Sequence, residues 1–221
     1  MDGNGRWARQ RGLSRAEGHR QGVKALKPVV KEASRLGIRV LTVFAFSTEN
    51  WQRPPEEVDA LMALLVEFLR SETLELKAEG VLIRTIGAID DLPPVSLAAL
   101  HWASQETATQ SRMILNLALN YGSRDEIVRA VNRWMAQRHP ADEPELTESA
   151  LTAQLDTVGL PDPDLLIRSS GELRLSNFML WQCAYAEIYI TETLWPDFGP
   201  DELRRALDDY RHRQRRFGRI G

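Results

Sequence analysis

Val40-Leu41-Thr42-Val43-Phe44-Ala45-Phe46, followed at once by Ser47-Thr48-Glu49-Asn50-Trp51-Gln52-Arg53-Pro54, decides how this chain folds. The first seven residues make an apolar run of strand length, broken only by Thr42. Such a run suits a strand covered on both faces, as in a parallel sheet. The polar octet behind it puts reactive side chains at the strand's carboxyl end, where open α/β sheets bind ligands.

Outward from this run, strand and helix patterns alternate. Residues 81–86, 113–119, 165–167 and 187–190 read as further strands. Val23, Leu26, Val30 and Ala33 form a helical stripe ending near Gly37. Pro54-Pro55 opens a long helix to about Lys77, whose apolar stripe is Val58, Leu61, Met62, Leu65, Phe68 and Leu69, broadened by Leu64. Residues 94–109 and 124–137 read as helices, the second with Ser123 as N-cap. A polar connector at 139–144 precedes a short helix near 147–155, and an amphipathic helix over about 201–216 closes the chain. The expected architecture is one α/β domain over 1–221, a mostly parallel central sheet with helices on both faces.

Composition narrows the function. With 221 residues and 43% hydrophobic content, the chain can bury one substantial core. A net charge of −3 argues against nucleic-acid binding. Its single cysteine, Cys183, excludes an internal disulfide and suits a reducing cytoplasm. No secretory signal or membrane-length apolar run is visible, although a lipid product would allow transient contact with a membrane surface.

Three polar clusters carry the chemistry. Asp2-Gly3-Asn4-Gly5-Arg6-Trp7 places a carboxylate, two glycines, an arginine and an indole together. Glycines let backbone N–H groups approach a phosphate, arginine grips its oxygens in pairs, and Asp suits Mg²⁺. The same residues also suit an ordinary turn. Arg168, Arg174 and Ser176 follow a strand with Gly171 between them, as a second anion cradle or as a solvated loop. Arg53 fits that cradle or the cap of the long helix. Arg15 and His19 share a helical face, as anion ligands or as a surface pair. Glu187 opens an apolar strand and needs a partner, either Mg²⁺ or an arginine. No zinc pattern, P-loop or dinucleotide fingerprint is present.

Taken together, the motifs resemble the cis-prenyltransferase family, best known as undecaprenyl diphosphate synthases or isoprenyl transferases. The matching stretches run the length of the chain: Asp2 to Ala8, Gly18-His19, Phe44 to Trp51 with Arg53-Pro54, and Leu117 to Gly122. Then come Ile167-Arg168, Gly171-Glu172, Leu175 to Phe178, Leu180 to Gln182, Ala184 to Glu187, Leu194 to Phe198 and Arg215 to Gly218.

The resemblance implies Mg²⁺-dependent, repeated condensation of isopentenyl diphosphate with an allylic diphosphate, giving a cis-polyprenyl diphosphate of the undecaprenyl type. It also implies a homodimer and a hydrophobic tunnel walled by Leu61, Leu64, Leu65 and Leu69. By matching position, Asp2 and Glu187 are metal ligands, and Asn50 is the residue assigned to proton transfer. Gly3, Asn4, Gly5, Arg6, Arg15 and His19 surround the allylic diphosphate, and Trp7, Trp51, Ser47, Thr48 and Glu49 border the substrate pocket. Arg53, Arg168, Arg174, Leu175 and Ser176 surround isopentenyl diphosphate.

Two alternatives are a non-catalytic subunit and a short-chain synthase. A phosphatase would release inorganic phosphate, and it lacks an evident nucleophile-and-acid pair. Members of the family also carry an apolar strand ahead of the Asp2 motif, whereas here Met1 precedes it directly. The expectation is therefore that the first strand is missing, leaving an open slot in the sheet.

Overall fold

The computed structural model describes residues 1–137 and 145–213. The connector expected over 139–144, the end of the closing helix and the Arg215 to Gly218 motif lie outside the described residues.

Two parallel sheets form the frame. β1 (Val40–Ser47) and β2 (Val81–Ile86) flank β3 (Met113–Tyr121), giving the order β1-β3-β2. β3 is the central strand, and seven of its residues in succession, from Leu115 to Tyr121, are buried. That explains its largely apolar character, interrupted by the buried Asn116, and the strand runs two residues past the expected end because Asn120 and Tyr121 are also covered. β4 (Leu165–Arg168) pairs with β5 (Glu187–Ile190) in a separate two-stranded sheet. β1 and β4 are not hydrogen-bonded to each other. Between them lies a groove of about 500 Å³, lined by residues 37–44 on one side and 160–169 on the other, with Met1 among its lining residues.

The helices cover the frame. α1 (Asn4–Gln10) lies across α2 (Arg15–Arg35), where a methyl group at Gly18 would collide with the Asn4 carbonyl. α2 starts in a full capping box, Ser14 and Glu17 satisfying each other's backbone N–H groups. α3 (Pro55–Ala78) uses Pro55 at its first turn, where the missing N–H costs nothing. α2 and α3 pack on each other, and α4 (Pro94–Thr107) packs on α3 and β2. α5 (Ser123–Ala136) packs on α6 (Glu148–Thr152), and α7 (Pro200–Arg211) packs on α2 and β5. Val30, Leu69, Leu76, Leu100 and Leu115 sit at the centre of the main core, each fully buried. No described helix is long and apolar enough to cross a membrane.

Two local expectations differ. The glycine-bearing segment after Asp2 is not a loop: Gly3, at φ 98°, is the left-handed cap from which α1 begins. Ser123 does not cap α5, because Gly122 does, and the Ser123 hydroxyl instead accepts the Leu180 backbone N–H at 3.0 Å.

Candidate active site

A cavity of about 600 Å³ opens at the carboxyl end of β1 and runs between α2, α3 and the strands β1 and β3. Its interior is hydrocarbon: Val23 and Leu26 of α2, Leu61, Met62, Leu64, Leu65 and Phe68 of α3, and Ala45, Phe46, Leu117 and Leu119 of the sheet. Polar residues also line it, namely Asp2, Asn4, His19, Ser47, Glu49, Asn50, Arg53, Arg168, Arg174 and Ser176. Leu69, expected in the tunnel wall, faces the core and is fully buried.

Strand ends explain this gathering. Ser47 closes β1, and a 3₁₀ turn over Thr48–Gln52 carries Glu49 and Asn50. The Ser47 N–H donates to Asn50 Oδ1 at 3.0 Å, so the amide's acceptor oxygen is already engaged. Asn50 also carries an NH₂, a donor suited to a diphosphate oxygen. Glu49 accepts from Asn177 Nδ2 at 3.1 Å, tying the two strand-end loops together.

Asp2 is held by its backbone: its N–H donates to Ser169 Oγ at 3.0 Å, and its carbonyl accepts from the Trp195 N–H at 2.9 Å. One carboxylate oxygen accepts the Gly3 N–H at 2.7 Å, and the other faces Arg168 at 3.0 Å. With 39% of its side chain exposed and its place on the cavity lining, the carboxylate remains reachable by a ligand. Mg²⁺ is commonly bound by one or two carboxylates plus substrate phosphates and water. One reachable carboxylate among anion-binding arginines fits that pattern. Among the described residues no group of three or more His, Cys, Asp or Glu side chains converges for a metal.

The structure does not bring Glu187 to Asp2. Glu187 is in register with Leu165 at the start of the small sheet, whereas Asp2 is fixed to Ser169 and Arg168 at the other end. The Glu187 carboxylate is paired with Arg213 at 3.0 Å.

Several expected pocket residues also face elsewhere. The Trp7 indole donates to Asp197 at 2.7 Å and is covered by the Arg11 guanidinium. The Trp51 indole donates to Asn120 at 2.7 Å and packs edge-on against Phe46. Gly3, Gly5, Arg6, Arg15, Thr48 and Leu175 are not on the cavity wall, and Leu175 lines the groove between the sheets instead. Arg6 reaches the second cradle, donating to the Ser170 carbonyl and pairing with Glu172 at 2.9 Å.

Two carboxylates that the sequence analysis passed over organise the cations. Glu57 takes Arg15 at 3.0 Å, Arg53 at 3.0 Å and His19 Nε2 at 3.2 Å, joining α2 to the start of α3. Burial works against ionisation of Glu57, yet Arg15, His19 and Arg53 hold its pKa below the usual carboxylate value. Burial lowers the His19 pKa, and nearby Arg53 and Arg15 oppose its charge while Glu57 supports it. Glu172 serves Arg6 and Arg174 in the same manner. The sequence signals for this hub were the four-residue spacing of Arg15 and His19 on α2 and that of Arg53, just ahead of α3, and Glu57 in its first turn.

The chain matches, over residues 1–218, the family described as "Putative undecaprenyl diphosphate synthase". It is 52% identical over 222 residues to an isoprenyl transferase of Heliobacterium mobile, covering 100% of this chain and 85% of that protein. An isoprenyl transferase of Clostridium perfringens is 50% identical over 224 residues, covering 100% and 88%. Among solved structures, lavandulyl diphosphate synthase from Lavandula x intermedia, in complex with dimethylallyl diphosphate, superposes with a TM-score of 0.96. It is 40% identical, over 99% of this chain and 95% of that one.

Proposed function

The chain belongs to the undecaprenyl diphosphate synthase family and is a prenyl transferase, and we propose that its cavity joins isopentenyl diphosphate repeatedly to an allylic diphosphate to build a cis-polyprenyl diphosphate. The observation that carries this reading is one cavity with His19, Arg53, Arg168 and Arg174 among its polar lining and an otherwise hydrocarbon wall. Such a space suits an amphiphile with an anionic head and an isoprenoid tail. In the lavandulyl enzyme the bound molecule, dimethylallyl diphosphate, is an allylic diphosphate.

In each cycle the allylic C–O bond breaks, and its electron pair leaves with the diphosphate oxygen. The isopentenyl double bond supplies the electrons for the new C–C bond, and a proton is lost to form the cis double bond. The departing diphosphate, which carries negative charge into the same cavity, takes that proton. Arg168, Arg174 and Arg53 stabilise the charge that builds on the diphosphates. The Asn50 NH₂ positions a diphosphate oxygen, the amide being oriented by the Ser47 N–H that donates to its carbonyl oxygen. The apolar wall excludes water from the carbocation and orients the tail. Mg²⁺, held by Asp2 together with diphosphate oxygens, would supply Lewis-acid neutralisation of the leaving group.

We read the active form as a homodimer: among the described residues β5 pairs only with β4, and Ile188 on it is 46% exposed, an apolar strand that a second copy would cover. The test is incubation of purified protein with labelled isopentenyl diphosphate, Mg²⁺ and allylic primers of increasing length. Products growing by five-carbon steps, with release of inorganic diphosphate, are expected. No incorporation with any primer, or release of monophosphate, would overturn the reading.

A further inference from the structure

The two helices that wall the cavity change character together, one turn below it. On α2, Val23 lines the cavity, and Lys27 and Lys31 follow it at intervals of four residues. On α3, Phe68 lines the cavity, and Glu72 follows it at the same interval, with Glu75 three residues later. These four charges meet across the seam. Lys27 Nζ lies 2.7 Å from Glu72 and 2.6 Å from Glu75, and Lys31 pairs with Glu75 as well. The Glu72 oxygen facing Lys27 is closed off from solvent. α2 and α3 are thus tied by ions at both ends, through Glu57 near the start of α3 and through this lattice far along it.

We propose that the Lys27–Lys31–Glu72–Glu75 lattice is the end stop of the hydrocarbon channel and so sets the length of the product. This rests on the elongating activity proposed above. The lattice carries two positive and two negative charges, so nothing in its net charge repels a neutral tail. It resists in two other ways. A chain end pushed below Phe68 must separate α2 from α3, and it must strip ion partners without replacing their interactions. Above the lattice each added methylene gains contact with Leu26, Leu61, Leu65 or Phe68. Below it, that gain ends.

Neither Lys27 nor Glu72 touches the site where the diphosphates meet, so the lattice can be altered without disturbing the chemistry. Lys27→Leu combined with Glu72→Leu extends the apolar wall by one turn, about 6 Å for four residues. The expected outcome is a product ladder shifted upward by one or more five-carbon units, with the rate of the first condensation unchanged. Lys27→Arg, which keeps the ion pairs, is expected to reproduce the wild-type ladder. Should the double variant unfold, Glu72→Gln removes one ion pair and is expected to give a smaller upward shift. Unchanged ladders in whichever of these variants fold would overturn the proposal.

A second measurement needs no turnover. Saturated n-alkyl diphosphates of increasing length, titrated by calorimetry, are expected to gain about fourfold in affinity per methylene until the tail meets the lattice, and then to level off. The plateau should move to longer chains in the Leu/Leu variant. A wild type that makes no product but shows this movable plateau would reject the elongation reading and keep the stop. A plateau that ignores the substitutions would reject the stop.

Discussion

Asp2 and Arg168 face each other at 3.0 Å, although 166 residues separate them. The pair places a carboxylate and a guanidinium on one side of the cavity, and each neutralises the other until a diphosphate and its counter-ion arrive. Asp2→Asn keeps both main-chain anchors, which use the backbone N–H and carbonyl of residue 2. We expect turnover to fall by roughly two to three orders of magnitude, with the melting temperature little changed. Wild-type kinetics across a Mg²⁺ titration would remove Asp2 from the site.

Glu57 holds the cations that an incoming diphosphate needs, so it competes with the ligand. Glu57→Gln should therefore strengthen inhibition by inorganic diphosphate, by roughly tenfold or about 1.4 kcal/mol. The effect should shrink with added salt, because Arg15 is 64% exposed and easily screened. Inhibition constants at two ionic strengths check both parts.

Ala45 lies on the cavity wall near the end of β1. Ala45→Leu fills space that the tail would use, and each buried methylene is worth about 0.8 kcal/mol. Shorter products are expected, read directly from a chromatographic ladder. An unchanged ladder would show that the tail takes another course.

The His19 pKa is depressed by burial, so the folded protein disfavours the protonated ring. Stability that depends on a neutral His19 is present above pH 6.5 and is lost as pH falls through the lower folded-state value. Melting curves from pH 8 to pH 5 should show this loss, and His19→Gln should flatten it. Identical pH dependence in the two proteins would contradict the assignment.

Glu126 is fully buried and accepts from the Tyr121 hydroxyl at 2.6 Å, Gln182 at 3.1 Å and the Asp156 N–H at 3.0 Å. Burial raises its pKa despite these donors. Glu126→Gln turns one acceptor into a donor among donors and should cost about 1–3 kcal/mol. Chemical denaturation measures it, and a neutral result would mean that the surrounding donors rearrange.

Strands were the most legible part of the chain because strand-length apolar runs have few other readings, although only β3 is buried along nearly its whole length and β1 buries just Val43 and Phe46. The run at 40–46 and the one at 113–119 both sit within observed strands, and their ends were underestimated only where polar residues are covered, as at Asn120. α1 was missed because Gly3 and Gly5 read as turn residues, whereas the helix is supported by its crossing of α2. Trp7 and Trp51 were placed at the pocket by matching position in the family, but each indole N–H takes a specific oxygen, on Asp197 and Asn120, that spacing cannot reveal. Glu187 is different, since the sequence held the answer. A residue that opens a parallel strand lies at the opposite end from one that closes its neighbour, as Arg168 does.

The make-up of the cavity wall has a mechanical consequence. The site draws Ser47, Asn50 and Arg53 from the plate carrying β1 and Arg168, Arg174 and Ser176 from the plate carrying β4 and β5. A diphosphate gripped from both sides acts as a rivet. At a hundredfold excess over its dissociation constant, such a ligand stabilises the closed arrangement by about 2.7 kcal/mol, so the plate carrying β4 and β5 should resist proteolysis and amide exchange most when substrate is in place. Substrate is then also the fastener that keeps its own site assembled.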